Sequence, residues 1–123
     1  MKIIFVCLGN ICRSPMAEAM FRQMVAQEKL SDQIKIDSAA TSNDFDSADY
    51  IVCMDDMNKR NLLRMAPASD RHKIYQAFDI VPGKEGTVIP DPWYTHRFED
   101  TYRSLAEALP FWLKKLSHEV KNH

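Results

Sequence analysis

The chain has 123 residues, of which 46% are apolar and 27% are charged, and its formal net charge is −1. This length and composition predict one domain, residues 1–123, that is large enough to bury a core. The near-neutral charge gives no support to nucleic acid or a membrane surface as a partner.

The location of the protein is predicted from three further features. No apolar run approaches the length of a membrane span, and the amino terminus lacks the pattern of a signal peptide. The three cysteines form no disulfide framework. Together these features predict a protein of the reducing cytoplasm.

Taken in chain order, the apolar patterns predict four strands and three helices. The first strand, Lys2–Val6, is continuously apolar, as in a parallel sheet that is covered on both faces. The order β-α-β-β-α-β-α predicts an α/β fold, a small parallel sheet with helices on both faces and the first strand near its centre. The other strands are expected at 34–36, 50–54 and 73–78, and the helices at about 15–30, at 58–65 and from about 98 onward.

The first and last predicted helices each carry an apolar stripe that we assign to the core. In the last helix Pro110 interrupts this stripe, which predicts a kink or a late restart. The first stripe is formed by Met16, Met20, Met24, Phe21 and Leu30. The last is formed by Phe98, Tyr102, Leu105, Leu109, Trp112, Leu113, Leu116 and Val120.

Between the first strand and the first helix lies the stretch Cys7-Leu8-Gly9-Asn10-Ile11-Cys12-Arg13-Ser14-Pro15. The first N–H groups of the helix and its dipole attract anions, and the loop's N–H groups can surround one. Arg13 can grip two oxygens of a phosphate with its planar fork. The same positive field favours the thiolate of Cys7, a nucleophile. The pattern therefore predicts a phosphate-binding loop formed by Leu8, Gly9, Asn10, Ile11, Cys12, Arg13 and Ser14.

The residue types around Cys7 suit such a loop. Gly9 and Asn10 tolerate the positive φ that it requires. Ser14 can cap the helix and donate its hydroxyl to the thiolate, and Pro15 then occupies the first helical position.

Asp91 is the candidate general acid. A thiolate that attacks a phosphate ester forms a phosphocysteine, and the leaving oxygen needs a proton. Asp91 lies between Pro90 and Pro92, which stiffen its approach, and it could then activate water for the second step. Trp93 and Tyr94 could form a wall of the pocket and stack on an aryl ring, although a tryptophan in a loop equally suits a core position.

Three groups of residues receive a structural interpretation. Asp55 with Asn58 is expected to cap the helix that follows. Cys53 lies in a strand and is expected to be inert core. The four histidines lack metal-ligand spacing, and no metal or other cofactor is expected, because Arg13 and the N–H groups would neutralise the transferring group.

The stretch from Cys7 to Pro15 resembles the signature of the low-molecular-weight protein tyrosine phosphatases. Two later stretches agree, Asp49-Tyr50-Ile51-Val52-Cys53-Met54-Asp55 with Asn58, and Asp91-Pro92-Trp93-Tyr94. The likeness extends over nearly the whole chain and implies a flavodoxin-like fold of the phosphotyrosine phosphatase I-like type. It also implies that the substrate is a phosphotyrosine-containing protein or a small aryl phosphate, with inorganic phosphate as a product.

The resemblance assigns roles residue by residue. Cys7, Arg13 and Asp91 match the nucleophile, the phosphate-binding arginine and the general acid. Asn10 and Ser38, together with Ser14, match positions that support the loop. By the same resemblance, oxidation could pair Cys12 with Cys7 and protect the nucleophile, since a reactive thiolate oxidises readily.

One block of the family pattern is absent. After 38–42 the family continues with an aromatic-containing loop and a helix, whereas here Asn43-Asp44-Phe45 follows at once. Parallel strands usually need a crossover of about a dozen residues, and 39–48 offers ten without helical periodicity. We therefore expect a shortened crossover, exposed sheet surface that self-association could cover, and activity weakened by the loss of a substrate-lip aromatic residue and a supporting histidine.

Three alternatives remain at this stage. An arsenate reductase on the same scaffold would need two resolving cysteines downstream, where only Cys53 lies. A phosphoryl carrier would leave Arg13 and Asp91 unexplained. A non-catalytic phosphate-binding protein, produced by the missing block, is the third.

Overall fold

The computed structural model describes residues 1–6, 13–38 and 42–122, apart from the side chains of residues 42–44 and 93. Its strands are β1 (Lys2–Val6), β2 (Lys35–Asp37), β3 (Tyr50–Cys53) and β4 (Ile74–Gln76). Its α-helices are α1 (Arg13–Gln27), α2 (Ser42–Ser47), α3 (Asp56–Met65), α4 (Pro92–Thr95) and α5 (Phe98–Lys121), and a 3-10 helix covers Ala68–Lys73.

The four strands form one parallel sheet in the order β2-β1-β3-β4. The predicted central position of β1 is confirmed, because β1 pairs with β2 on one side and β3 on the other. Ile3 lies opposite Ile36 of β2 and Tyr50 of β3. The carboxyl ends of all strands therefore meet at one edge of the sheet, which is where ligands bind in such folds.

Alternate residues of β1 point into two separate cores. Ile3 and Phe5 belong to a cluster with residues of α1 and α5, whereas Ile4 and Val6 belong to a second cluster with residues of α2 and α3. Successive strand side chains point to opposite faces, so this division shows that helices cover both faces of the sheet. The predicted α/β class is confirmed.

The crossover between β2 and β3 contains a helix that the sequence did not predict. Residues Ser42–Ser47 form α2, and Phe45, which is 2% exposed, packs into the second core beside Ala48. The ammonium of Lys73 donates to the Phe45 carbonyl oxygen at 2.7 Å and also pairs with Asp70. The expectation that the shortened crossover leaves this face of the sheet exposed is therefore wrong where α2 packs against the sheet.

Two predicted apolar stripes are shifted. In α1 the buried apolar residues are Ala17, Phe21 and Val25, while the three methionines are only partly buried at the margin of the core. In α5 the stripe residues Leu105, Leu109, Trp112 and Leu116 are buried and Leu113 and Val120 are partly buried. Phe98 and Tyr102, by contrast, are each 57% exposed. The methionines border the core rather than form its centre, and the first two aromatic residues of α5 lie largely outside it.

The last helix runs through Pro110 as one element of 24 residues, so the predicted restart is wrong. Proline removes one N–H donor and crowds the carbonyl one turn earlier, which belongs to Ala106. Pro110 and Ala106 are both exposed, so water can solvate that carbonyl. Within the described part of the chain, no helix combines the length and the apolar character needed to cross a membrane.

Candidate functional site

The candidate site lies where β1 ends and α1 begins. The predicted nucleophile Cys7 and the loop residues Leu8, Gly9, Asn10, Ile11 and Cys12 lie outside the described residues. Their described neighbours, Val6 and Arg13, end the central strand and start the first helix. The structure therefore describes the strand that precedes this segment and the helix that follows it.

Arg13 is the central described residue of the candidate site. Only 2% of this residue is exposed, and its guanidinium donates through Nη1 to the carbonyl oxygen of Ile89 at 2.9 Å. Its Nη2 donates to Oδ2 of Asp55 at 2.8 Å and lies 3.6 Å from Oδ2 of Asp91. A buried guanidinium needs such partners, because an unpaired charge away from water is costly. The predicted phosphate-binding arginine and the predicted general acid are thus brought together.

Asp55 connects Arg13 to helix α3. It is the N-cap residue of α3, and its Oδ1 accepts from both the backbone N and the side-chain Nδ2 of Asn58, each at 2.8 Å. The predicted cap is therefore confirmed. Its ion pair with Arg13 was not predicted, although Asp55 follows the strand that neighbours β1 and parallel strands end at a common edge.

The segment that carries Asp91 is attached at two points. The Ile89 N–H donates to the Met54 carbonyl at 2.8 Å, and the Thr101 hydroxyl donates to the Pro90 carbonyl at 2.8 Å. Thr101 is fully buried, so α5 holds this segment from inside the protein. The carboxyl group of Asp91 remains 22% exposed beside Arg13, which leaves it accessible to a ligand.

Ser14 and Ser38, two predicted supporting residues, also lie close together. The Ser14 hydroxyl donates to the Ser38 carbonyl oxygen at 3.4 Å, which joins the start of α1 to the end of β2. A hydrogen bond from the Ser38 side chain is the main cause that lowers the pKa of Glu18, with a smaller contribution from Arg22. Asn10, the third predicted support, lies outside the described residues.

The two aromatic residues after Asp91 belong to the short helix α4. Tyr94 is 79% exposed, and the Trp93 side chain is outside the described part. The N–H groups of Tyr94 and Thr95 donate to the Asp91 carbonyl at 3.0 and 3.1 Å. Tyr94 is therefore held next to the candidate acid without packing into the core.

Cys53 ends β3 and faces the second core. It is fully buried, its thiol donates to the Tyr75 carbonyl at 3.3 Å, and burial raises the pKa of the Cys53 thiol to about 12. The predicted core position is confirmed. Among the described residues no group of three or more His, Cys, Asp or Glu side chains could hold a metal ion.

Comparison with known proteins points to one family. The family model described as low molecular weight phosphotyrosine protein phosphatase matches residues 2–44 and 40–122. Two curated proteins described by the same words are similar over 93% of this chain and 94% of their own length. The one from Mus musculus is 36% identical over 150 residues, and the one from Gallus gallus is 34% identical over 152 residues.

A solved structure supports the same relationship. The crystal structure of YfkJ from Bacillus subtilis superposes with a TM-score of 0.88 at 29% identity, covering 97% of this chain and 96% of that one. The alignment with the Gallus gallus protein spans more positions, 152, than the 123 residues of this chain. Since the family model matches in two pieces that meet at 40–44, the block that this chain lacks falls in the crossover between β2 and β3.

Proposed function

The chain belongs to the low-molecular-weight phosphotyrosine protein phosphatase family, and from this premise we propose that it hydrolyses phosphotyrosine and aryl phosphate monoesters through a phosphocysteine on Cys7. The observation that carries the proposal is the arrangement of Arg13, which is buried at the start of α1 and lies 3.6 Å from Asp91. A cation that binds phosphate and an acid that protonates a leaving group are thereby neighbours.

In the first step the Cys7 thiolate attacks phosphorus and the P–O bond to the tyrosine oxygen breaks. Asp91 donates its proton to that oxygen, so the neutral phenol leaves. Arg13 stabilises the negative charge of the transferring group through the positive charge of its guanidinium. The products of this step are phosphocysteine, free phenol and the Asp91 carboxylate.

In the second step water attacks the phosphorus of the phosphocysteine. The Asp91 carboxylate accepts a proton from that water, the P–S bond breaks, and the Cys7 thiolate is restored. Inorganic phosphate leaves. The same carboxyl group thus serves as acid and then as base, which agrees with its partial exposure beside Arg13.

Asp55 and Ile89 support this chemistry by fixing Arg13. The two hydrogen bonds to their oxygens use Nη2 and Nη1, so the guanidinium plane is held from two sides. A preorganised donor does not have to reorient when charge develops in the transition state, which is where electrostatic catalysis gains most. We assign Asp55 as a positioning residue, since it acts through Arg13.

Cys53 argues against the arsenate reductase alternative. A resolving cysteine must reach the nucleophile as a thiolate. Cys53 is fully buried, and its thiol pKa is raised to about 12 by burial. A cysteine in this state is a poor resolving residue.

We further propose a cytoplasmic location and redox pairing of Cys7 with Cys12, and the reaction depends on neither. Self-association through the crossover is not proposed, because α2 packs on the sheet face that it would cover. The partners that the reaction itself implies are a phosphotyrosine-containing protein or aryl phosphate as substrate and inorganic phosphate as product.

Hydrolysis of para-nitrophenyl phosphate tests the proposed function. We expect steady turnover that is lost in Cys7→Ser, while Asp91→Asn lowers kcat by at least about 100-fold and leaves phosphate affinity nearly unchanged, because the acid acts on the transition state. Asp32→Asn, in an exposed turn, is the matched control. Turnover that persists in Cys7→Ser would contradict the phosphocysteine route, and absence of turnover in the unmodified protein would favour the phosphate-binding alternative.

A further inference from the structure

A groove of about 550 Å³ opens beside the candidate site, between the first turn of α1 and the first two turns of α5. It is lined by Met16, Phe98, Glu99, Tyr102 and Arg103. We propose that this groove binds an apolar side chain of the substrate polypeptide that lies one or two residues from the phosphotyrosine. The proposal rests on the proposed function and adds residues that select the substrate.

The position of the groove relative to the site is the first argument. Met16 follows Arg13 by three residues, which is less than one helical turn. On the other wall, Thr101 lies between the groove residues of α5 and donates to the Pro90 carbonyl next to Asp91. The groove and the candidate site therefore share both of their supporting helices.

The exposure of its aromatic residues is the second argument. Phe98 and Tyr102 are one turn apart on α5, and each is 57% exposed. Apolar surface in contact with water costs free energy that is recovered when a partner covers it. An apolar side chain of the substrate would recover it while the phosphate group is bound at Arg13.

The charges of the groove favour an apolar occupant over a charged one. Glu99 and Arg103 have opposite signs and lie one turn apart, so their fields largely cancel. Met16 lies about 4.5 Å beyond Arg13 along the axis of α1, and an extended peptide advances about 3.3 Å per residue. The residues that flank the phosphotyrosine are therefore the ones that we assign to the groove.

A second groove on α5 does not satisfy these conditions. It measures about 560 Å³ and is lined by Ile80, Phe111, Lys114, Lys115, His118 and Glu119. Phe111 is 13 residues beyond Phe98, about 20 Å along the helix. A side chain adjacent to the phosphotyrosine would not reach it, so Phe111 provides a matched control.

The test uses two phosphotyrosine peptides that differ only in having Leu or Ser on both sides of the phosphotyrosine. We expect kcat/KM to be about tenfold higher for the Leu peptide, and we expect this ratio to fall to about 1–3 in Phe98→Ser and in Tyr102→Ser. Phe111→Ser should keep the ratio of the unmodified protein. Equal values for the two peptides, or a ratio that both groove variants retain, would overturn the proposal.

Two further measurements separate this proposal from the proposed function. Turnover of para-nitrophenyl phosphate, which has no flanking residues, reports on the function alone. Fluorescence anisotropy with the same two peptides on Cys7→Ser reports on the groove alone, because binding needs no turnover. Tighter binding of the Leu peptide that is lost in Cys7→Ser/Phe98→Ser supports the groove, and equal binding of both peptides contradicts it.

Discussion

Arg13 and Asp55 form an ion pair that we expect to contribute to stability and, under the proposed function, to catalysis. The guanidinium is almost fully buried, whereas the Asp55 carboxylate is 22% exposed and also caps α3. A partner that is removed from such a pair leaves a buried charge unpaired, which costs more than the pair itself contributes. Capping of α3 needs only an acceptor oxygen at position 55, whereas pairing with Arg13 needs a charge. Substitutions of Asp55 can therefore separate these two functions.

We expect Asp55→Ala to lower the free energy of unfolding by about 2–4 kcal/mol, because the variant loses the helix cap and removes the nearer of the two carboxylates that pair with Arg13. Asp55→Asn should recover the part of this unfolding free energy that comes from the helix cap, since an amide oxygen can still accept from Asn58. It should not recover kcat/KM, because the neutral amide does not anchor the guanidinium equally well. Urea unfolding and turnover of para-nitrophenyl phosphate measure the two effects.

The control is Asp100→Ala, which removes a carboxylate that is 31% exposed and pairs at 3.3 Å with Arg97, an exposed residue. Pairs of this kind contribute less than about 1 kcal/mol. If Asp55→Ala were no more destabilising than Asp100→Ala, the ion pair with Arg13 would not be a determinant of stability. If Asp55→Asn had full activity, the positioning role would be wrong.

At the scale of elements, the connection from β4 to the candidate acid depends on Asp79. Its carboxylate accepts from the Lys59 ammonium at 2.9 Å, from the Gln76 N–H at 2.8 Å and from the Gly86 N–H at 2.9 Å. Burial raises the pKa of Asp79, but these hydrogen bonds outweigh it and the pKa lies below its ordinary value of 3.8. The segment that leads to Asp91 is thus held by an ionised carboxylate.

This depressed pKa predicts how stability depends on pH. A carboxyl group whose pKa is lower in the folded state stabilises the protein above its unfolded pKa, and that stabilisation is lost as the pH falls through the folded pKa. We expect the free energy of unfolding to decrease more steeply between pH 5 and about 2 in the unmodified protein than in Asp79→Asn. Asp32→Asn, in an exposed turn, should keep the steep dependence. Parallel pH profiles for all three proteins would contradict this.

Much of the fold could be predicted from sequence because the strongest patterns are local. The apolar run of β1 and the cap at Asp55 each depend on a few adjacent residues. The predicted start of the first helix was wrong, because α1 begins at Arg13 and contains both Ser14 and Pro15. Helix α2 was missed because six residues complete fewer than two turns and show no periodicity. What stabilises it is non-local, namely the burial of Phe45 and the contact of Lys73 with the Phe45 carbonyl.

The candidate site shows the same division between local and non-local signals. Arg13 and Asp91 could be predicted from motifs, but the contact between Arg13 and Asp55 depends on which strands are neighbours. Phe98 and Tyr102 continue the apolar spacing of α5, and only the tertiary structure shows that both residues remain more than half exposed. Periodicity shows that a face is apolar, whereas tertiary structure determines what covers it.

At the scale of the whole molecule, the shortened crossover determines whether the chain can exist as a monomer. Phe45 and Ala48 are buried against β1 and β3, and the described crossover residues expose no large hydrophobic side chain. A face that is already covered gains little from self-association. We therefore expect light scattering to give the monomer mass of 14.2 kDa at all concentrations. A mass that rises toward the dimer with concentration, and falls again in a variant with the crossover lengthened, would instead support exchange of this segment between two copies.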